Sequence, residues 1–429
     1  MEDDQIPRCP TRRGFLKASG VAVAAGLASS AAPAVLAAAP ATAGGGATPS
    51  ATDAEPFYGT HQGGIATPQQ SHAYLAAFDL TTDKRADLIA LLKAWTVAAE
   101  RMSRGLPAVS LDAASEDKAP VDSGDVLELN PAHLTITFGF GPDLFSKDGK
   151  DRYGLASKRP AALVDLPRFN GDQMIPEKCG GDLFIQACAN DTQVAFHAVR
   201  QLARIGQDSS QMRWGQAAFM SGKPGETPRN LMGFKDGTMN PDASGMDQFV
   251  WAGDEGPGWM KNGSYSVVRR IRITLEHWDN TELGFQEQVF GRHKRSGAPL
   301  GKQNEFDALD LDANDKDGNP VIPEGAHARL SAPASNNGAQ ILRRSYSYND
   351  GTNFYIERWP PWRQQTEYDA GLMFVAYQRD PRKGFIPINE KLSKFDLMNQ
   401  FTTHIGSAIF ACPPGAQPGS YVGAALFEA

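Results

Sequence analysis

The chain has 429 residues, enough for two packed domains. With 41% hydrophobic and 21% charged residues it reads as a folded globular protein, which excludes the disordered and fibrous classes. A formal net charge of -7 gives it no electrostatic reason to seek phosphate backbones, so nucleic acid is not an expected partner.

The N-terminus carries an address. Thr11, Arg12, Arg13, Gly14, Phe15, Leu16 and Lys17 form a paired arginine followed by an aromatic, an aliphatic and a lysine. A mildly apolar run of Ala, Val and Gly occupies 20–39, and Ala41, Thr42 and Ala43 offer a small-residue cleavage site. Together these read as a twin-arginine export signal over 1–43, which sends the mature chain to the periplasm or outside the cell. A membrane anchor is the rival, but alanine and glycine give little transfer energy and no second apolar span follows. Residues 44–56, rich in Ala, Gly, Pro and Thr, read as a linker. Of the four cysteines, Cys9 leaves with the signal. Cys179, Cys188 and Cys412 form no CxxC pair or covalent cofactor-attachment motif and read as buried thiols, with a Cys179–Cys188 disulfide left open.

Residues 72–80 alternate, with Tyr74, Ala76, Phe78 and Leu80 on one side, as a half-buried strand does. Further strand signals stand at 134–140 and 183–187, the latter leading into an amphipathic helix at 194–205. A second such strand opens at Gly263, Ser264 and Tyr265, where Ile271, Ile273 and Leu275 alternate with Arg270, Arg272, Thr274 and Glu276. Another lies at 372–377, with a helix around 395–401. Strand-helix-strand-strand-helix-strand, twice, predicts an α+β fold of two ferredoxin-like modules, 57–222 and 223–429. Residues 223–241 between the two patterns form a loop rich in Gly, Pro and Asn. A second loop, 304–325, is acidic and invites a calcium-loop reading through Asp310, Asp312, Asn314, Asp315, Asp317 and Gly318. The spacing fails, because Ala313 stands where the first aspartate is needed, and a solvated turn is the better reading.

The common catalytic signatures are missing: no GxxxxGK[ST], no strand-borne GxGxxG, no HExxH and no GxSxG. Three polar segments in loops remain. Gly233-Phe234-Lys235-Asp236-Gly237-Thr238 holds an acid between two glycines that permit a sharp turn. Gly325-Ala326-His327 places a histidine after the acidic loop, and Arg343 follows 16 residues later in Leu342-Arg343-Arg344. An acid, a histidine and an arginine are the parts a haem peroxidase uses: a ligand to iron, a proton carrier and a fixed cation.

GFKDG resembles the GxxDG fingerprint of dye-decolourising peroxidases, which use aspartate where plant-type peroxidases use a distal histidine. Segments 57–70 (FYGTHQGGIATPQQ), 229–241, 290–301 (FGRHKRSGAPLG), 342–348 (LRRSYSY) and 376–385 (AYQRDPRKGF) are similar to its deferrochelatase/peroxidase branch. The likeness spans nearly all of the mature chain. It implies non-covalent haem b in the C-terminal of two ferredoxin-like modules (the dimeric α+β barrel type). It further implies His327 as proximal iron ligand, Asp236 as distal acid-base and Arg343 as distal cation. Gly237, Thr238 and Met239 match the backbone over the haem, and Arg292 matches a residue that meets a propionate. Where relatives often carry a polar, Arg-containing stretch, this chain has Ala332-Pro333-Ala334, which leaves a second propionate contact without its residue.

Simpler readings stand beside these. Arg344 competes with Arg343 for the distal place. His277, following Ile271, Ile273 and Leu275 along an apolar face, reads as a packed core histidine. His61 reads as a turn or capping group. Asp380 is a candidate acceptor for the far nitrogen of His327. The implied activity is reduction of hydrogen peroxide by dyes, phenols or other small one-electron donors. Asp236 carries a proton between the peroxide oxygens and Arg343 stabilises the charge as the O–O bond breaks. One rival is deferrochelation, the release of iron from intact porphyrin, which would add iron-uptake partners. Another is an exported haem carrier without catalysis, which would not need the Asp236–Arg343 pair. The sequence leaves a homo-oligomer open.

Overall fold

A computed structural model describes residues 53–111, 117–223, 225–353 and 367–428. The paired-arginine segment, the rest of 1–43 and most of the 44–56 linker lie outside the described residues.

Nine strands of the described residues form one sheet: β1 (His72–Leu80), β2 (Thr135–Phe140), β3 (Leu183–Ala189), β4 (Ser210–Phe219), β5 (Ser264–Ile273), β6 (Leu342–Arg343), β7 (Tyr346–Asn353), β8 (Glu367–Gln378) and β9 (Thr402–Cys412). Their order is β5-β9-β2-β3-β1-β4-β7-β8-β6, and β5 also pairs with β8. Eight strands therefore close into a barrel, with β6 appended to β8. Closure leaves no long unpaired edge among them. The first four strands stand in the order β4-β1-β3-β2 and the later ones in the matching order β9-β5-β8-β7. The two sets meet at narrow seams, Phe140 opposite Ala411 and Phe219 opposite Ser347.

Strand alternation sorts the core. Ala76, Phe78 and Leu80 of β1 pack outward with Leu88 and Trp95 of helix Arg85–Ser103 and Leu202 of helix Thr192–Ile205. Ala73, Leu75 and Ala77 point the other way, into a cluster with Phe184, Val268, Met373 and Phe410 that fills the barrel. The half-buried expectation for β1 is thus corrected: closure of the sheet covers its second face as well. Helix Thr192–Ile205 starts where Asp191 accepts hydrogen bonds from the Gln193 and Val194 amides at 2.7 and 3.0 Å. Trp95 Nε1 donates to the Leu202 carbonyl at 2.8 Å and ties the two outer helices together.

Two expectations in the second half change. The β5 pattern does not continue through Leu275: the strand ends at Ile273, past an irregularity between Arg270 and Ile271, and a short helix, Leu275–Trp278, begins. His277 is exposed on that helix, not packed in the core, because Trp278 takes the buried place and donates to the Met232 carbonyl at 2.9 Å. The late helix runs Phe385–Phe395, earlier than expected, and a separate turn follows at Leu397–Gln400. Asp396 divides them by capping the Met398 amide at 2.8 Å. Cys179, Cys188 and Cys412 are all unbonded; Cys188 and Cys412 are buried, while Cys179 is partly exposed. No helix among the described residues is long and apolar enough to cross a membrane.

Candidate active site

Outside the barrel, the outward faces of β5 and β8 and the helix Phe385–Phe395 enclose a cavity with apolar walls that include Met232, Ile271, Phe290, Leu372, Phe374 and Ile388. Its empty space, counted to the open mouth, is about 1680 Å³. His327, Asp236, Arg343, Arg292, Thr238 and Met239 all line it, so six residues singled out from the sequence meet in one place. Gly237 lines a small adjoining pocket with Asp236 and Arg343.

The acid is positioned by its loop. Gly233 and Gly237 adopt φ of +85° and +113°, the left-handed conformations that the two glycines allow. Between them Phe234 plunges into the core and stacks on Phe290 with ring centroids 3.8 Å apart. Asn230 accepts from the Met232 and Phe234 amides at 3.0 and 3.3 Å, closing the turn. The Asp236 amide donates to the Pro228 carbonyl at 2.9 Å. Its carboxylate accepts from Arg343 Nη1 at 2.8 Å.

Strand alternation separates the two arginines. Along β6 Leu342 enters the barrel cluster, Arg343 turns outward to the cavity, and Arg344 is buried on the barrel side. Arg344 spends its guanidinium on Gln70 and the carbonyls of Thr67 and Pro68. Asn240 clamps Arg343 from both sides, donating to its carbonyl at 2.8 Å and accepting from its amide at 3.1 Å. Loop and strand therefore hold Asp236 and Arg343 as one unit.

His327 opens the short helix His327–Ser331, and its ring lies 6.4 Å from that of Phe290. Its Nδ1 meets Asp396 Oδ2 at 2.6 Å, and the Asp396 side chain is 4% exposed. The acceptor is Asp396 and not Asp380, which is tied to Arg382 Nη2 at 2.7 Å in the turn before the helix Phe385–Phe395. Leu397 donates to the Gly325 carbonyl at 2.9 Å, latching the histidine loop to the segment that carries Asp396. With Nδ1 engaged, Nε2 is the ring nitrogen left for a ligand.

Other members had no signal in the sequence. Glu305 pairs with Lys235 and accepts from Thr238 Oγ1 at 3.0 Å. Burial works against this carboxylate, but hydrogen bonds from Lys235, Thr227 and Thr238 outweigh it and hold its pKa below the ordinary value. A buried Arg269–Asp172 ion pair sits beside His404, whose Nδ1 accepts from Arg269 Nε at 3.0 Å. Burial and the neighbouring Arg269 push His404 down to about 3, so it is neutral. Asp172 and His404 line the cavity. His61, read as a turn or capping group, bonds the Asn262 carbonyl at 2.8 Å and stacks on Trp251, with no part in the cavity.

Two donors are left over. Arg292 Nη1 serves the carbonyls of Gly297 and Glu305 at 2.7 and 2.9 Å, whereas Nη2 is buried without a partner. Asn389 Nδ2 is likewise buried and unpartnered, and both residues line the cavity. Buried donors are rarely left unpaired in a finished structure, so this pair calls for a bound group bearing acceptor oxygens. Ala332 and Pro333, also in the lining, offer no charge.

Comparison with known proteins agrees with this geometry. Residues 62–220 match the family model "Dyp-type peroxidase, N-terminal" and residues 227–417 match "Dyp-type peroxidase, C-terminal". The chain is 38% identical over 386 residues to the dye-decolorizing peroxidase of Thermobifida fusca, covering 86% of this chain and 84% of that protein. It is 36% identical over 434 residues to the deferrochelatase of Escherichia coli K12, covering 98% of this chain and 97% of that protein. A solved DyP-type peroxidase from Streptomyces coelicolor superposes with a TM-score of 0.79 at 39% identity, covering 88% of this chain and 97% of that one. With both family models in sequence along the chain and full-length relatives at this identity, the chain belongs to the Dyp-type peroxidase family.

Proposed function

We propose that the chain binds haem b non-covalently in this cavity and reduces hydrogen peroxide at the expense of dyes, phenols or other small one-electron donors. The observation that carries the proposal is one cavity lined by a carboxylate-backed histidine, by an Asp–Arg pair and by two unpartnered buried donors. Haem suits each part. His327 Nε2 is free for iron, and propionate oxygens suit Arg292 Nη2 and Asn389 Nδ2. When bound, haem supplies the redox chemistry: two-electron reduction of peroxide and one-electron oxidation of the donor.

The chain's own groups do the rest. Asp396 accepts from His327 Nδ1, which fixes the tautomer and makes Nε2 a stronger ligand. Asp236 takes the proton from one peroxide oxygen and returns it to the other, which leaves as water. Arg343 stabilises the negative charge that develops as the O–O bond breaks, and Asn240 keeps it from relaxing away.

The matching strand orders β4-β1-β3-β2 and β9-β5-β8-β7 support the two-module ferredoxin-like plan. Most cavity residues come from the C-terminal half, with Asn170 and Asp172 contributed by the first. Export by the twin-arginine route is proposed from Arg12 and Arg13. Deferrochelation stays as the second reading because of the full-length similarity to the E. coli protein of that name. A carrier would have no use for the Asp236–Arg343 unit. Haem-loaded protein given peroxide and a dye decides: dye bleaching with the haem intact supports the peroxidase, and free porphyrin as product supports the rival. Consumption of peroxide no faster than by free haem would overturn the peroxidase, and the absence of free porphyrin as well would overturn the rival.

A further inference from the structure

The acidic loop at 304–325 turns one carboxylate inward, and it braces the side of the cavity that carries Asp236. Asp307 shapes the turn: its Oδ2 accepts from the Gln303 and Asn304 amides at 3.2 and 2.8 Å, and its own amide donates to the Asn304 carbonyl at 3.1 Å. Glu305 follows Asn304 in this turn, and its side chain is only 9% exposed. Its carboxylate pairs with Lys235 and accepts from Thr238 Oγ1 at 3.0 Å, while its backbone carbonyl accepts from Arg292 Nη1 at 2.9 Å. Gly297 leaves room for the pair: at its φ of +78° a Cβ would stand 2.8 Å from Lys235 Cδ and 3.4 Å from Glu305 Cγ. One residue therefore grips both the loop that carries Asp236 and the arginine with the unpartnered Nη2.

The charges around Asp236 are finely balanced. Arg343 bonds it at 2.8 Å, Lys235 precedes it in the chain, and Arg292 lines the same cavity. Arg229 shares the small adjoining pocket, but it is exposed and donates to the carbonyls of Gly233, Lys294 and Arg295. The other carboxylates of the cavity lining are committed elsewhere: Asp172 to Arg269, beside the neutral His404, and Asp396 to His327. Lys235, Arg292 and Arg343 therefore face Asp236 and Glu305, and without Glu305 the three cations would face Asp236 alone. Burial opposes the ionisation of Glu305, yet hydrogen bonds from Lys235, Thr227 and Thr238 prevail and keep it charged. Its field reaches past its ion pair: burial lowers the Arg292 pKa, Glu305 offsets part of that, and Arg343 adds to it.

We propose that Glu305 is a positioning residue for the distal acid-base group: by neutralising Lys235 and offsetting Arg292, it sets the pH below which Asp236 no longer accepts a proton. The proposal rests on the haem-peroxidase reading above. Neutralising Glu305 leaves Asp236 among uncompensated cations, which favour its ionised form, so the acid side of the rate profile moves to lower pH. Neutralising Lys235 acts in the opposite sense. The same charges act on haem held in the cavity: loss of an anion favours the reduced, less positive iron, and loss of a cation favours the oxidised one. A residue that only braced the loop would show neither the reversal of sign nor the cancellation when both charges are removed.

The test uses the haem-loaded full chain beside Glu305→Gln, Lys235→Gln and the double variant. Stopped-flow peroxide consumption is followed from about pH 3 to about pH 7, a range that spans the reference aspartate pKa, and haem midpoint potentials are measured alongside. The glutamine oxygen at 305 can still accept from Lys235 and Thr238, so Glu305→Gln changes the charge and keeps the bonds. Its acid limb should move down by roughly half to one pH unit, the reach of one partly screened charge through an effective dielectric of about 20, and its potential should rise. Lys235→Gln should move the limb up by a similar amount and lower the potential, and the double variant should lie between the two. A wild-type limb and potential in Glu305→Gln, or shifts of the same sign in both single variants, would overturn the proposal. If Glu305→Gln does not fold, the direction of the shift in Lys235→Gln decides. A wild type that takes up no haem or consumes no peroxide would overturn the peroxidase reading itself, and this proposal with it.

Discussion

Replacing Asp396 by asparagine removes one negative charge from behind His327 and changes almost nothing else. The asparagine carbonyl oxygen can still cap the Met398 amide, so the turn at Leu397–Gln400 should survive. The lost interaction is a 2.6 Å charge-assisted hydrogen bond to a carboxylate whose side chain is 4% exposed. Such a bond is worth roughly 1.5–3 kcal/mol. Loss of an outer-sphere partner of a metal-bound histidine typically costs about 10–100-fold in metal affinity, or about 1.4–2.7 kcal/mol. The two figures agree at about 2 kcal/mol. Asp396→Asn should therefore release haem about 10–100-fold faster to excess apomyoglobin. Its haem midpoint potential should rise, because a less anionic histidine stabilises the oxidised iron less. Wild-type release and potential in Asp396→Asn would refute the view that Asp396 acts on the haem through His327.

Asp236→Asn and Arg343→Leu should both keep haem and slow peroxide consumption, by roughly a hundred- to ten-thousandfold for the proton carrier and roughly a hundred- to thousandfold for the cation. Stopped-flow mixing with peroxide measures this, and a wild-type rate in either variant removes that residue from the chemistry. His404 sets a pH dependence of stability: its folded pKa of about 3 lies below the ordinary 6.5, so the unfolded chain takes up the proton first. Stability from this group is complete above about pH 6.5 and lost as pH falls toward 3, at no more than about 1.4 kcal/mol per pH unit. Urea unfolding at pH 7 and pH 4 should show a smaller acid loss in His404→Gln than in wild type; equal losses would contradict the assignment. Changing Arg12 and Arg13 both to lysine should leave folded precursor in the cytoplasm, and normal export of that variant would point to the general secretory route.

What could be read from the sequence follows from where the signals are local. β1 announces itself through apolar alternation, β8 through the unbroken apolar run at 372–377, and helix Thr192–Ile205 through its amphipathic face. β4 and β9 carried no such signal. SQMRWGQAAF alternates buried and exposed positions with polar residues on both, and TTHIGSAIFAC lines the candidate-site cavity with Thr402 and His404 before its apolar part begins. The loop acid could be found because Gly233 and Gly237 mark a special turn around it, and Arg343 because a known pattern accompanies it. Asp396 could not. Its contact with His327 spans 69 residues, and locally it is only a capping aspartate between two helical turns. Asp380 was the more conspicuous acid, yet it serves the turn through Arg382. His277 misled for a related reason: the alternation was read on past Ile273, where β5 ends, and only the packing of Trp278 shows which side chain goes inward.

The central claim is that one cavity holds haem through His327, with Asp236 and Arg343 serving the same space. Haem titration of the purified chain, read in the Soret region beside His327→Ala, tests it most directly. Wild type should take up one equivalent of haem with a sharp Soret band, and His327→Ala should lose that spectrum and bind haem far more weakly. A wild-type spectrum in His327→Ala, or no Soret band in the wild type, would contradict it.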